Sequence, residues 1–161
     1  MLLDRMRELG IYDQATIVIS GDHGSFVAPT ALLDPAAQAT ADARGIAPST
    51  VGHARPLLLV KAPGAHGALR TSRAPVWIID TPATIADAAG LPGAYPGTSA
   101  LKLAEDAPRE RRFHDYEYAG NEWSGEYVAD IQEYVVSGRS DDITGWNKGR
   151  TLRAPAPADG R

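Results

Sequence analysis

Two short apolar runs constrain this chain most: Thr-Ile-Val-Ile at 16–19 and Leu-Leu-Leu-Val at 57–60. Neither alternates with polar residues. Both are predicted as strands covered on both faces, which is the signature of a parallel sheet sandwiched between helices. Leu2, Leu3, Met6 and Leu9 share one face of a predicted helix ahead of the first run, and Gly10 stops it. A third apolar run at 76–79 leads into Asp80-Thr81-Pro82, an N-cap residue with proline in the first turn, so a helix is expected to follow as far as Gly90. The expected class is α/β: a mostly parallel sheet flanked by helices, with 16–19 beside 57–60 and a long crossover between them.

Residues 29–55 show no strong period and read as a loop with one short helix around 35–43. From Arg111 the texture changes. Phe113, Tyr116, Tyr118, Trp123, Tyr127, Tyr134 and Trp146 enter segments of loose alternation. Segments 111–118 and 127–136 are predicted as antiparallel strands, with Gly120-Asn121 or Ser124-Gly125 at the turn. The expected organisation is an α/β portion over 1–106, a small antiparallel C-terminal sheet over 107–150, and a frayed Pro/Ala/Gly-rich tail over 151–161.

Composition excludes several functions. The 161 residues carry a net charge of -4, with no basic stripe and no RNA-reading aromatic motif, so nucleic acid is not an expected partner. Arg-Glu-Arg-Arg at 109–112 reads as a solvated strand edge. With no cysteine, disulfides, thiolate zinc sites and a cysteine nucleophile are out. The first five residues mix acid and base and do not read as a signal peptide. No apolar run approaches the length of a membrane span.

The chemistry points to Gly21-Asp22-His23-Gly24, directly after the first run. Ligands of open α/β sheets bind at the carboxyl ends of strands. Asp22 and His23 there offer one oxygen and one nitrogen ligand to a divalent ion, and the flanking glycines let the backbone approach it. The competing reading is a turn with a capping Asp and a merely polar His. His53, just before Pro56, is either a substrate-binding group or a surface loop histidine. His66 and His114 read as turn and packing residues. Arg55 and Lys61 read as strand-end charges, and the Tyr/Trp cluster as core rather than a sugar-stacking surface.

Three blocks carry a resemblance. LDRMRELGIYDQATIVISGDHG at 3–24, ARPLLLVKAPG at 54–64 and IDTPATIADAAGL at 79–91 resemble, in order and spacing, late segments of the alkaline phosphatase/sulfatase superfamily. The resemblance covers roughly residues 2–103. It implies a metal-dependent sulfuric-ester hydrolase in which Asp22 and His23 bind a divalent ion (calcium, manganese or zinc) and an anionic ester is the substrate. It also implies a metal-bound Ser, Thr or formylglycine nucleophile and further metal carboxylates, and it places these upstream. No Cys-x-Pro-x-Arg stretch occurs in the sequence, and Ser25, Thr30 and Ser49 lack a nucleophile context. The chain is therefore read as the C-terminal portion of such an enzyme, missing an N-terminal half and inactive alone. In the full-length protein, the resemblance implies a periplasmic, exported or membrane-anchored location. Two alternatives stay open: a portion of a phosphoester hydrolase or phosphoethanolamine-type transferase of the same superfamily, and a non-catalytic binding module.

Overall fold

The computed structural model describes residues 1–116 and 130–153. The expected strand ends at 117–118 and 127–129, both turn candidates, Trp123 and residues 154–161 of the tail lie outside the described residues. The chain forms two compact units, each drawn from two stretches: Met1–Ser25 with Arg55–Ala107, and Phe26–Ala54 with Pro108–Arg161.

The first unit holds helix α1 (Leu2–Glu8), strands β1 (Ile17–Ser20) and β2 (Leu58–Lys61), a 3-10 turn at Ile78–Asp80 and a further helix, Thr81–Ala88. Its sheet corrects the expected fold class. β1 and β2 are neighbours, but they pair antiparallel in a two-stranded sheet, with Ile17 opposite Lys61 and Ser20 opposite Leu58. Among the described residues there is no large parallel sheet. The reason lies at the end of β1. The Gly21 amide donates to the Leu57 carbonyl at 2.9 Å, so the chain re-enters beside the point at which it left and must run back. A parallel neighbour needs a crossover to the opposite end of the strand. Here the intervening helices belong to the other unit.

Burial differs from expectation as well. No residue of either strand is fully buried, and Ile19 is 44% exposed. α1 buries no residue at all. Lys61 is drawn back into the unit: its ammonium donates to the carbonyls of Asp13 and Ala15 and lies 4.7 Å from the centre of the Tyr12 ring.

The second unit holds a 3-10 turn (Thr30–Leu33), helices α2 (Pro35–Ala43) and α3 (Pro48–His53), strands β3 (Glu110–Asp115), β4 (Ile131–Ser137) and β5 (Trp146–Leu152), and a 3-10 turn at Ile143–Gly145. With both units described, Thr81–Ala88 of the first is α4 in chain order. α2 starts where the Asp34 carboxylate accepts from the amides of Ala36 and Ala37, with Pro35 in the first turn. The three strands form one antiparallel sheet in the order β3-β4-β5. Its inner face, with Leu32, Ile46, Val51 and Ile143, buries Tyr134, Val136 and Trp146. Trp146 is wholly buried, and its indole N–H donates to the Ser140 carbonyl at 3.1 Å. By sequence, Trp146 belongs to an aromatic cluster with no strand expected around it. β5 carries Lys148, Gly149 and Arg150 and has little strand character of its own. The 109–112 stretch is also corrected: Arg111 is buried and donates to the Gly138 carbonyl.

The outer face of this sheet carries a buried carboxylate. Glu133 is 3% exposed and lies opposite His114 in the β3–β4 register. Arg112 donates to it at 3.0 Å, and His114 Nε2 and Arg150 Nε stand at 3.4 and 4.0 Å. A Cβ at Gly149 would meet Glu133 Oε1 at 2.6 Å, so β5 packs directly on the carboxylate and a side chain at 149 would have to displace it. The hydrogen bond from Arg112 holds the Glu133 carboxyl below the usual carboxylate range against the opposing effect of burial. A carboxyl whose folded value is depressed stabilises above its unfolded value, and that contribution disappears as pH falls through the folded one. Glu133→Gln is therefore expected to be less stable than wild type at neutral pH, with the gap closing in acid. Urea unfolding at a series of pH values measures it, and a gap that does not change with pH refutes the ionic origin.

Candidate metal site

Asp22 and His23 sit immediately beyond the carboxyl end of β1. Gly21 makes that placement possible: a Cβ there would lie 2.9 Å from the His23 carbonyl oxygen, so the backbone folds back more tightly than a side chain allows. Asp22 Oδ1 accepts from the His23 amide at 3.0 Å, which holds the carboxylate beside its neighbour. His23 Nε2 stands 3.9 Å from the same oxygen. Nδ1 of His23 lies 2.6 Å from the Gly24 carbonyl. A carbonyl only accepts, so Nδ1 carries the proton, and Nε2 is the lone-pair nitrogen of the neutral ring. A histidine oriented this way through its other nitrogen is the usual form of an imidazole metal ligand.

The donors are therefore adjacent and of the right chemistry, and both side chains are open to solvent, Asp22 at 93% and His23 at 51%. They fit part of a coordination sphere. Structural and catalytic zinc sites use three or four protein ligands. Among the described residues, no group of three or more His, Cys, Asp or Glu is placed to hold an ion.

The other candidates divide between the units. His53 ends α3 in the second unit, where it faces Asp115 at 3.6 Å and stacks on Phe26. His114 flanks Glu133 on the sheet. His66 is exposed, as is Arg55, and Lys61 is committed to backbone carbonyls. Sequence reasoning missed the pairing of Asp115 with His53 and the cluster around Glu133. The first joins residues far apart in sequence. The second was discoverable only from a correct β3–β4 register, which sets His114 against Glu133.

No protein-family model, curated protein or solved structure matches the chain.

Proposed function

We propose that the chain is the C-terminal portion of a metal-dependent sulfuric-ester hydrolase, in which Asp22 and His23 supply part of the coordination of a divalent ion. One observation carries the reading. The three sequence blocks that bear the resemblance assemble in a single compact unit, although the stretch 26–54 that separates the first two belongs to the other. β1 and β2 join the first block to the second. The Thr16 hydroxyl donates to the Ala88 carbonyl at 3.3 Å and joins the first block to the third. The reading rests on this assembly and on the donor pair, not on sheet architecture.

A divalent ion at such a site polarises the ester oxygens and lowers the proton affinity of a bound nucleophile. The residues of this chain do the holding. The His23 amide fixes Asp22, and the Gly24 carbonyl fixes the tautomer of His23. The nucleophile and the remaining ligands are to come from outside these residues.

Manganese or zinc is expected to bind the chain weakly and less well in acid, because an imidazole must be neutral to coordinate. Asp22→Ala is expected to lower that affinity at least about tenfold, the loss typical of even an outer-shell partner. Calorimetric titration decides this, and equal affinity in both proteins overturns the assignment. The chain alone is expected to turn over neither nitrophenyl sulfate nor nitrophenyl phosphate. Turnover of the sulfate on adding an upstream polypeptide with a Cys-x-Pro-x-Arg motif supports the sulfatase reading, and turnover of the phosphate alone replaces it with a phosphoester enzyme. Metal-dependent turnover by the chain alone, abolished in Asp22→Ala, shows that the nucleophile lies within it.

A further inference from the structure

The first unit contains a long loop that the metal-site reading does not use. Between the end of β2 and the 3-10 turn at Ile78–Asp80 the chain forms no helix or strand, and residues 63–73 are exposed without a break. Leu69, in the middle, is 80% exposed. The loop is tied down near its ends. The Gly64 amide donates to the Asp13 carbonyl at 2.7 Å, and the Arg73 amide donates to the Glu105 carboxylate at 3.0 Å. From His66 to Thr71 no hydrogen bond is made among the described residues. A Cβ added at Gly64 or Gly67 would meet nothing within 4 Å.

To be cut, a segment must leave its native contacts and lie extended in a protease cleft, so the free energy of local opening governs its vulnerability. This loop has no core side chain to withdraw and no ladder to break. Exposed stretches of small and polar residues are where folded proteins are nicked first. Here Gly67-Ala68-Leu69-Arg70-Thr71-Ser72-Arg73 sets two arginines among mostly small residues, with no acid. Other basic residues of the unit are placed less well for cleavage. Arg5 and Arg7 lie in α1 and Lys61 in β2. Arg55 precedes Pro56, whose ring lacks the N–H and the free φ of an ordinary residue.

We propose that this loop is a processing site for an endoprotease that cleaves after arginine, and that the nicked product stays together as two chains. Water adds across the peptide bond after Arg70 or Arg73, leaving a carboxylate on the arginine and an amine on the next residue. Cohesion follows from how the second unit is drawn: it takes Phe26–Ala54 from before the loop and Pro108–Arg161 from after it. Leu32, Ile46 and Val51 precede the cut, Tyr134, Val136 and Trp146 follow it, and all share one buried cluster. Across the same divide the Thr50 hydroxyl donates to Asp115 Oδ2 at 3.1 Å, and Arg44 donates to Asn147 Oδ1 at 3.0 Å. Asp22 and His23 stay together in the upstream chain.

Trypsin is the probe, applied briefly and sparingly to the full chain in native buffer. The first cut within residues 1–153 is expected after Arg70 or Arg73, as read from fragment masses. The nicked protein is expected to elute with the uncut chain in native gel filtration and to separate into two fragments in concentrated urea. The double variant Arg70→Gln, Arg73→Gln, with circular dichroism unchanged, is expected to lose both fragments under conditions that nick wild type completely. A first cut anywhere else within those residues, or a folded double variant nicked as fast as wild type, overturns the site. Fragments that part in native buffer overturn the two-chain product.

Discussion

Replacing Trp146 with alanine is expected to destabilise the second unit by about 3–5 kcal/mol, the range seen for large aromatic truncations in packed cores. The indole is wholly buried. It packs among Leu32, Ile46, Val51, Tyr134 and Ile143, so its removal leaves a void whose walls come from α2, α3, the sheet and the connecting turns. Those elements are tied to one another and cannot all move in to fill the space. The substitution also leaves the Ser140 carbonyl without the indole N–H that donates to it. Trp146→Phe keeps most of the buried volume and loses the hydrogen bond, so it is expected to cost markedly less. Urea unfolding of the three proteins reads both effects as shifts of the midpoint at constant slope. A loss below about 1 kcal/mol for Trp146→Ala would mean that the unit is not organised around this residue.

How far the sequence disclosed the structure depends on whether the signal was local. α2 was legible because Asp34 and Pro35 act within one turn of where they stand. α4 was legible for a similar reason: Pro82 sits in its first turn, and Gly90, with φ +66, ends it. The segments that became β1 and β2 were visible as apolar runs, but a run carries no direction. Their antiparallel pairing is set by the bond between Gly21 and Leu57, which join from opposite ends of a long excursion. Nor does a run show what covers it, and α1 and the two strands keep their apolar residues partly open. β5 was illegible because it contributes one buried tryptophan, a half-buried Leu152 and otherwise exposed residues to the sheet. For the candidate site, the position of Asp22 and His23 beyond a strand followed from the sequence. The number of donors that join them did not, because ligands gather through tertiary contacts. The partner of His53 was hidden for the same reason: Asp115 reaches it only once β3 packs beside α3.

Asp80 stands at the N-cap position of α4, where the sequence sets it, but its carboxylate bonds elsewhere, and it carries the other large effect. The sequence suggests an N-cap for α4. The carboxylate makes no cap bond to that helix. It accepts instead from the Trp77 amide at 2.7 Å through one oxygen and from the Thr98 amide at 2.8 Å through the other. Its carbonyl accepts from the Thr84 hydroxyl, which in turn accepts from the Ala100 amide. Asp80 and Thr84 have no exposure at all, and together they tie the 97–102 loop to α4 through polar bonds where a larger unit would use apolar packing. Gly97 is part of the same device. It sits at φ +84, and a Cβ there would lie 2.4 Å from the Ile79 carbonyl oxygen and 2.7 Å from Asp80 Oδ1. Asp80→Ala leaves two part-buried amide donors without their acceptor, so a loss of about 1–3 kcal/mol in total is expected. Gly97→Ala adds about 1–2 kcal/mol of left-handed backbone strain before the clash is counted. The decisive variant is Asp80→Asn. It has the same shape, but its amide nitrogen would face one of the two N–H donors, so it is expected to be nearly as damaging as alanine. Hydrogen exchange at the Trp77, Thr98 and Ala100 amides should accelerate in all three variants, with denaturant unfolding giving the magnitudes. An Asp80→Asn protein as stable as wild type, with those amides still protected, would show that Asp80 acts through its shape and not through its two accepting oxygens.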